Sequence, residues 1–259
     1  MIATNPAGRC GAERLLVGTE GVGSLAMIER RASQPSRFWW IVPSALLCVF
    51  GLLTWQVVSH GPLTGFDVHA RNAIQRAARS SALHWLGPIG RGCADLGDQA
   101  PANLGLLVAT GLAACYARSW RPVLLAVGAG VVLVTVIPLK IWVSRPGPGS
   151  AVLGNAYLGY FPSGHTADAV CCYVTGAFLL GTFAWTSRTA RRLLGGLAVV
   201  LVVLTIFGLL WSNYHWVTDI LGSLCWCGAW LLVLRRFGLG VAKISHGETD
   251  HARGDHANA

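Results

Sequence analysis

Apolar residues in this chain fall into six long blocks, at 38–58, 101–117, 122–143, 162–185, 193–211 and 216–234, separated by short polar stretches. Each block is close to the ~20 residues that an apolar helix needs to cross ~30 Å of hydrocarbon. The pattern predicts an all-α fold, a bundle of six transmembrane helices. Trp39 and Trp40 open the first block and suit an interfacial aromatic belt. The stretch 60–99 reads differently. Phe66, Val68, Ile74, Leu83, Trp85, Leu86 and Ile89 recur there among Arg, Asp and His residues, which predicts one or two short amphipathic helices lying on the membrane surface.

The flanks are polar. Residues 1–37 are Gly-rich and carry Arg9, Arg14, Arg30, Arg31 and Arg37, the composition of a flexible tail. No apolar core of signal-peptide type precedes the first block, and Met27 offers an alternative start. Residues 38–236 form the membrane domain, and 237–259 a second flexible tail. The chain has no internal repeat.

Composition agrees with a membrane protein. Of 259 residues, 53% are hydrophobic and only 12% charged, against roughly 25% charged in soluble domains. The net charge of +9 is spread between apolar blocks rather than gathered on one face with aromatics, so it describes membrane topology and not a nucleic-acid surface. Six spans put both termini on one side. The N-terminal tail, the loops at 118–121 and 188–192, and Arg235-Arg236 all fall on that side and are basic. The positive-inside tendency makes it the cytoplasm, here of a bacterial inner (plasma) membrane. The loops at 144–161 and 212–215 then face outward. Most of the eight Cys sit inside apolar blocks and behave as small hydrophobes. The Cys225-Trp226-Cys227 spacing is not that of a metal site. Neither a disulfide framework nor a metal or other cofactor is expected.

Both outward loops carry candidate chemistry. In Pro162-Ser163-Gly164-His165, Pro suits a first helical turn and Gly lets a ligand approach the backbone. A helix N-terminus there suits an anion, and His165 is placed to donate a proton to a leaving oxygen. The alternative is a polar helix cap with an interfacial His. His215 and Asp219 lie four apart and share a helix face. Asp219 can hold one ring nitrogen of His215 and leave the other free to attack; alternatively both snorkel at the interface. Lys140 ends the third block and Arg145 follows it. Together they supply positive charge for a phosphate, although a snorkelling Lys at that position is ordinary. Asp168, one turn after His165, suits the start of a helix.

The order Lys140, Arg145-Pro146-Gly147-Pro148, Pro162-Ser163-Gly164-His165, then His215 with Asp219 resembles the type 2 phosphatidic acid phosphatase superfamily, over about 38–236. The resemblance implies a six-helix membrane phosphatase acting on a lipid phosphate, a prenyl or phosphatidyl phosphomonoester or diphosphate. It further implies that His215 attacks phosphorus and becomes phosphorylated, that Asp219 orients it, and that His165 protonates the leaving group. Lys140, Ser163 and Gly164 are implied to bind the phosphoryl oxygens, without a metal. A lipid phosphotransferase of the same fold, or an inactive lipid-binding relative, is the alternative.

Two departures thin the implied cationic cradle. The family's first motif places Arg-Pro after Lys and six residues; here Gly147 occupies that Arg position, with Arg145 two residues earlier as the expected substitute. The third motif's Ser-Arg corresponds to Gly208-Leu209. Asn213 and the Arg residues of 60–99 are further candidates for compensation. One phosphate-binding donor is worth ~10²–10³ in rate.

Overall fold

The computed structural model describes residues 37–149 and 158–257. The chain divides into two units, Met1–Trp39 and Trp40–Ala259. The first lies almost wholly outside the described residues, and with it the expected tail at 1–37. The second holds helices α1 (Ile41–Val58), α2 (Pro62–Ala78), α3 (Leu86–Asp95), α4 (Gln99–Ala117), α5 (Arg121–Val143), α6 (Gly164–Ala184), α7 (Arg188–Trp211) and α8 (Val217–Ala257). α6 widens into π-helical turns at Val170–Val174 and Leu180–Ala184.

Among the described residues, six helices are long and apolar enough to cross a membrane: α1, α4, α5, α6, α7 and the Val217–Phe237 part of α8. The six predicted blocks coincide with them. Their outward faces are apolar: Leu107, Leu124, Val134 and Leu193 are all largely exposed. Much of the α5 surface, at Leu124, Val127, Val131 and Val134, is apolar and exposed, as a span facing hydrocarbon requires. The backbone helix of α8 runs on to Ala257, past residue 236, where a tail was expected to begin.

α8 packs along α1, α3 along α7, and α4 against α6. Phe161, fully buried, stacks on Phe50 at a 6.0 Å centroid distance, and Phe50 meets Trp226 at 4.9 Å. A second cluster joins Val132 and Val136 of α5 to Ala167, Val170 and Cys171 of α6 and Cys227 of α8. These contacts bring the C-terminal end of α5 beside the N-terminal ends of α6 and α8.

The segment 60–99, expected as short surface helices, packs against the bundle. α2 buries Asp67 and spans the turn between α7 and α8. Gln75 donates to the carbonyls of Leu210 and Trp211, and Arg71 Nε donates to Asn213 Oδ1 at 2.7 Å. α3 presses against α7 at Gly208, where an added Cβ would lie 2.2 Å from the Ala94 nitrogen and 2.5 Å from the Gly90 carbonyl. Only glycine permits that backbone-to-backbone approach. The neighbouring Leu209 is fully buried with Ala94 and Ile220. Helix packing thus fills the place where the third-motif Ser-Arg would stand.

Candidate active site

The α7–α8 turn fixes His215. Asn213 takes φ +60°, the Tyr214 N–H donates to the Leu209 carbonyl, and the Asn213 N–H donates to that of Leu210. This is a Schellman closure with Asn at the left-handed position. Two carboxylates then satisfy the first N–H groups of α8. Asp219 Oδ2 accepts from Trp216 N at 3.1 Å, and Asp67 Oδ1 accepts from Thr218 N at 3.0 Å. Negative charge at a helix N-terminus is favourable, so the same acids that serve the site also stabilise the start of the helix.

His215 is buried. Its Nδ1 lies 3.3 Å from Asp219 Oδ2, which leaves Nε2 for chemistry. The Tyr160 ring lies edge-on at 5.5 Å, and the His165 ring is 5.8 Å away, also edge-on. The two histidines, fifty residues apart in sequence and placed by loop topology on one face, thus come together at one site. Burial lowers the basicity of His215; Asp219 opposes this, while Lys140 and His165 add to it. The net shift is downward, so the neutral imidazole persists to lower pH than in an ordinary His, near 6.5. The acidic limb of kcat/KM, corrected for the substrate's own phosphate titration, is therefore expected below pH ~6.5. A limb from this nucleophile above that value would contradict the burial argument.

Beside His165 opens a cavity of about 420 Å³ lined by Gly97, Asp98, Gln99, Lys140, Gly164, His165 and Asp168. Lys140 Nζ also donates to the Pro162 carbonyl at 3.2 Å. Gly164 lies open on the cavity wall, near enough to Lys140 that an added Cβ would be 3.8 Å from Nζ. A larger, almost wholly apolar cavity of about 540 Å³ lies between α6, α7 and α8 around Val170, Phe178, Val202 and Arg235. It does not touch either histidine.

Two expected phosphate ligands are placed otherwise. Ser163 is fully buried. Its Oγ caps α6 by accepting from the Thr166 N–H and hydroxyl. Its own N–H donates to the Asp219 carbonyl at 3.0 Å, and its carbonyl accepts from Ser223 Oγ at 2.6 Å. Ser163 is a cap and an inter-helix tie. Arg145 is likewise turned inward, 9% exposed. Nη1 donates to Asp219 Oδ1 and Thr218 Oγ1, both at 2.6 Å, and Nη2 donates to Asp67 Oδ2 at 2.7 Å. The guanidinium is held between two buried carboxylates and is not offered to an anion. At position 147 the Tyr160 ring occupies the space a side chain would need.

Sequence reasoning missed Asp67 and Asp98. Asp67 stands between Phe66 and Val68 on an otherwise amphipathic helix, and an acid bordered by apolar residues was the available signal. Asp98 immediately precedes a membrane span, where an acid reads as an ordinary cap. Its Oδ1 instead lies 2.8 Å from His165 Nε2.

An all-helical integral membrane protein with paired histidines, one braced by an acid at a helix start, is the class that fold and site define. The chain belongs to the PAP2 superfamily, whose sequence profile matches residues 119–240. It is 30% identical over 156 residues to phosphatidylglycerophosphatase B of Bacillus subtilis (strain 168), covering 60% of this chain and 76% of that protein. Its fold is similar to the crystal structure of the first transmembrane PAP2 type phosphatidylglycerolphosphate phosphatase from Bacillus subtilis. The TM-score is 0.68 at 22% identity, over 77% of this chain and 97% of that one.

Proposed function

We propose that the protein is a metal-independent lipid-phosphate phosphatase working at the outer face of a bacterial inner membrane, through a phosphohistidine at His215. The observation that carries this reading is the pairing of His215 Nδ1 with Asp219, with the His165 ring 5.8 Å away. Nε2 of His215 uses its lone pair to form a P–N bond while the bond from phosphorus to the lipid oxygen breaks. The electrons of that bond stay on the oxygen, which takes a proton from His165 and leaves as an alcohol. Water then attacks phosphorus and gives a proton back to His165. The P–N electron pair returns to His215 and phosphate is released.

The cation for this chemistry is Lys140, which shares the cavity with His165. The Gly164 and His165 N–H groups find no acceptor among the described residues, whereas that of Thr166 is bonded to Ser163. They support an anion at the start of α6. The relatives' names make phosphatidylglycerophosphate the first substrate to try, with phosphatidate and prenyl diphosphates beside it. Purified protein in mixed micelles with excess EDTA is expected to release inorganic phosphate from at least one of them. No release from the whole panel would sink the reading, and label recovered in a second lipid instead of in phosphate would assign a transferase.

A further inference from the structure

We propose that Asp98 is a positioning residue for His165, fixing which ring nitrogen delivers the proton to the departing lipid oxygen; this rests on the phosphatase reading above. Asp98 occupies the N-cap of α4, where an Asp side chain normally accepts from the first helical N–H groups. Here it makes no such bond. The carboxylate reaches across to α6, with Oδ1 2.8 Å from His165 Nε2. The approach depends on the preceding residue. A Cβ on Gly97 would lie 2.8 Å from the His165 carbonyl oxygen, 3.0 Å from the His165 Cβ and 2.5 Å from Thr205 Cγ2. The α3–α4 turn therefore comes this close to His165 because position 97 has no side chain.

The consequence is a defined division of the imidazole. Nε2 faces the Asp98 carboxylate, with Oδ1 at 2.8 Å. Nδ1 has no partner among the described residues and is the nitrogen left for proton transfer. Both residues line the same cavity as Lys140, so the pair stands at the place of catalysis and not on a remote surface. A carboxylate behind a histidine orients the ring and sets its tautomer. The His215–Asp219 pair has this form on the nucleophile side, and Asp98 gives the acid side its counterpart from a different helix.

A structural role and a positioning role differ in their dependence on the leaving group. An alkyl phosphate must have its departing oxygen protonated, whereas a nitrophenolate leaves with little help. A general acid contributes ~10²–10⁴-fold, and a misplaced one should forfeit on the order of tenfold or more of kcat. Full-length Asp98→Asn and Asp98→Ala, purified beside the unaltered protein, are assayed with a short-chain phosphatidate and with p-nitrophenyl phosphate. The expected result is a loss with the alkyl substrate several-fold greater than with the aryl one, with His165→Asn showing the same bias. Equal losses on both substrates, or none on either, would overturn the assignment and leave the phosphatase reading standing. If the unaltered protein cleaves neither substrate, or His215→Ala is as active as the parent, reading and inference fall together.

Discussion

Replacing His215 by Ala is expected to remove phosphate release altogether, a loss on the order of 10⁴-fold or more, the scale seen when a covalent nucleophile is deleted. Asp219 cannot substitute, since it is fully buried and held by Arg145 and the Trp216 N–H. The fold should survive, because Asp219 keeps both those partners and the Schellman turn before His215 needs only the backbone of Leu209 to Tyr214. The measurement is single-turnover phosphate release from a labelled lipid, with thermal unfolding in detergent as the check on folding. In the parent, an alkaline quench should capture base-stable, acid-labile label on the protein, and His215→Ala should show none. Label retained in that variant would place the nucleophile elsewhere.

How much of this was legible in the sequence follows from the range over which each force acts. The spans could be read because transfer of an apolar helix into hydrocarbon is decided by some twenty consecutive residues, and all six blocks match their helices. The His215–Asp219 pair could be read because a helix brings residues four apart onto one face. Topology placed the loops of His165 and His215 on one face, but their 5.8 Å approach comes from the packing of the helices. The role of Arg145 could not be read this way. Its partners are 78 and 74 residues distant, and no local pattern distinguishes an arginine turned to a carboxylate from one turned to a phosphate. Asp98 was hidden by a plausible local role as a helix cap. The glycine at 208 marked a missing motif residue, but not the α3 backbone that has taken its place.

The inward turn of Arg145 leads to the second large effect. Asp67, Arg145 and Asp219 form a buried chain of two ion pairs, at 2.7 and 2.6 Å. The chain ties α2 to α8 and to the loop after α5, and Trp216 closes it with its ring 5.3 Å from the guanidinium. Removing the cation strands two carboxylates out of water. Breaking a buried pair from one side costs on the order of 3–5 kcal/mol, so Arg145→Met is expected to lower the unfolding midpoint by on the order of 10 °C. Activity should fall through kcat, because Asp219 loses the partner that fixes its Oδ1 while its Oδ2 holds His215. Arg145→Lys should recover only part of either, since a single ammonium cannot reproduce the fork that reaches both carboxylates. Asp67→Asn added to Arg145→Met should cost less than the sum of the two, because it removes one of the stranded charges. A phosphate-binding Arg145 would give the opposite result: a raised KM, an unchanged midpoint, and additivity with Asp67→Asn. The double-mutant cycle therefore decides whether this chain has lost a phosphate ligand or has used an arginine to brace its nucleophile.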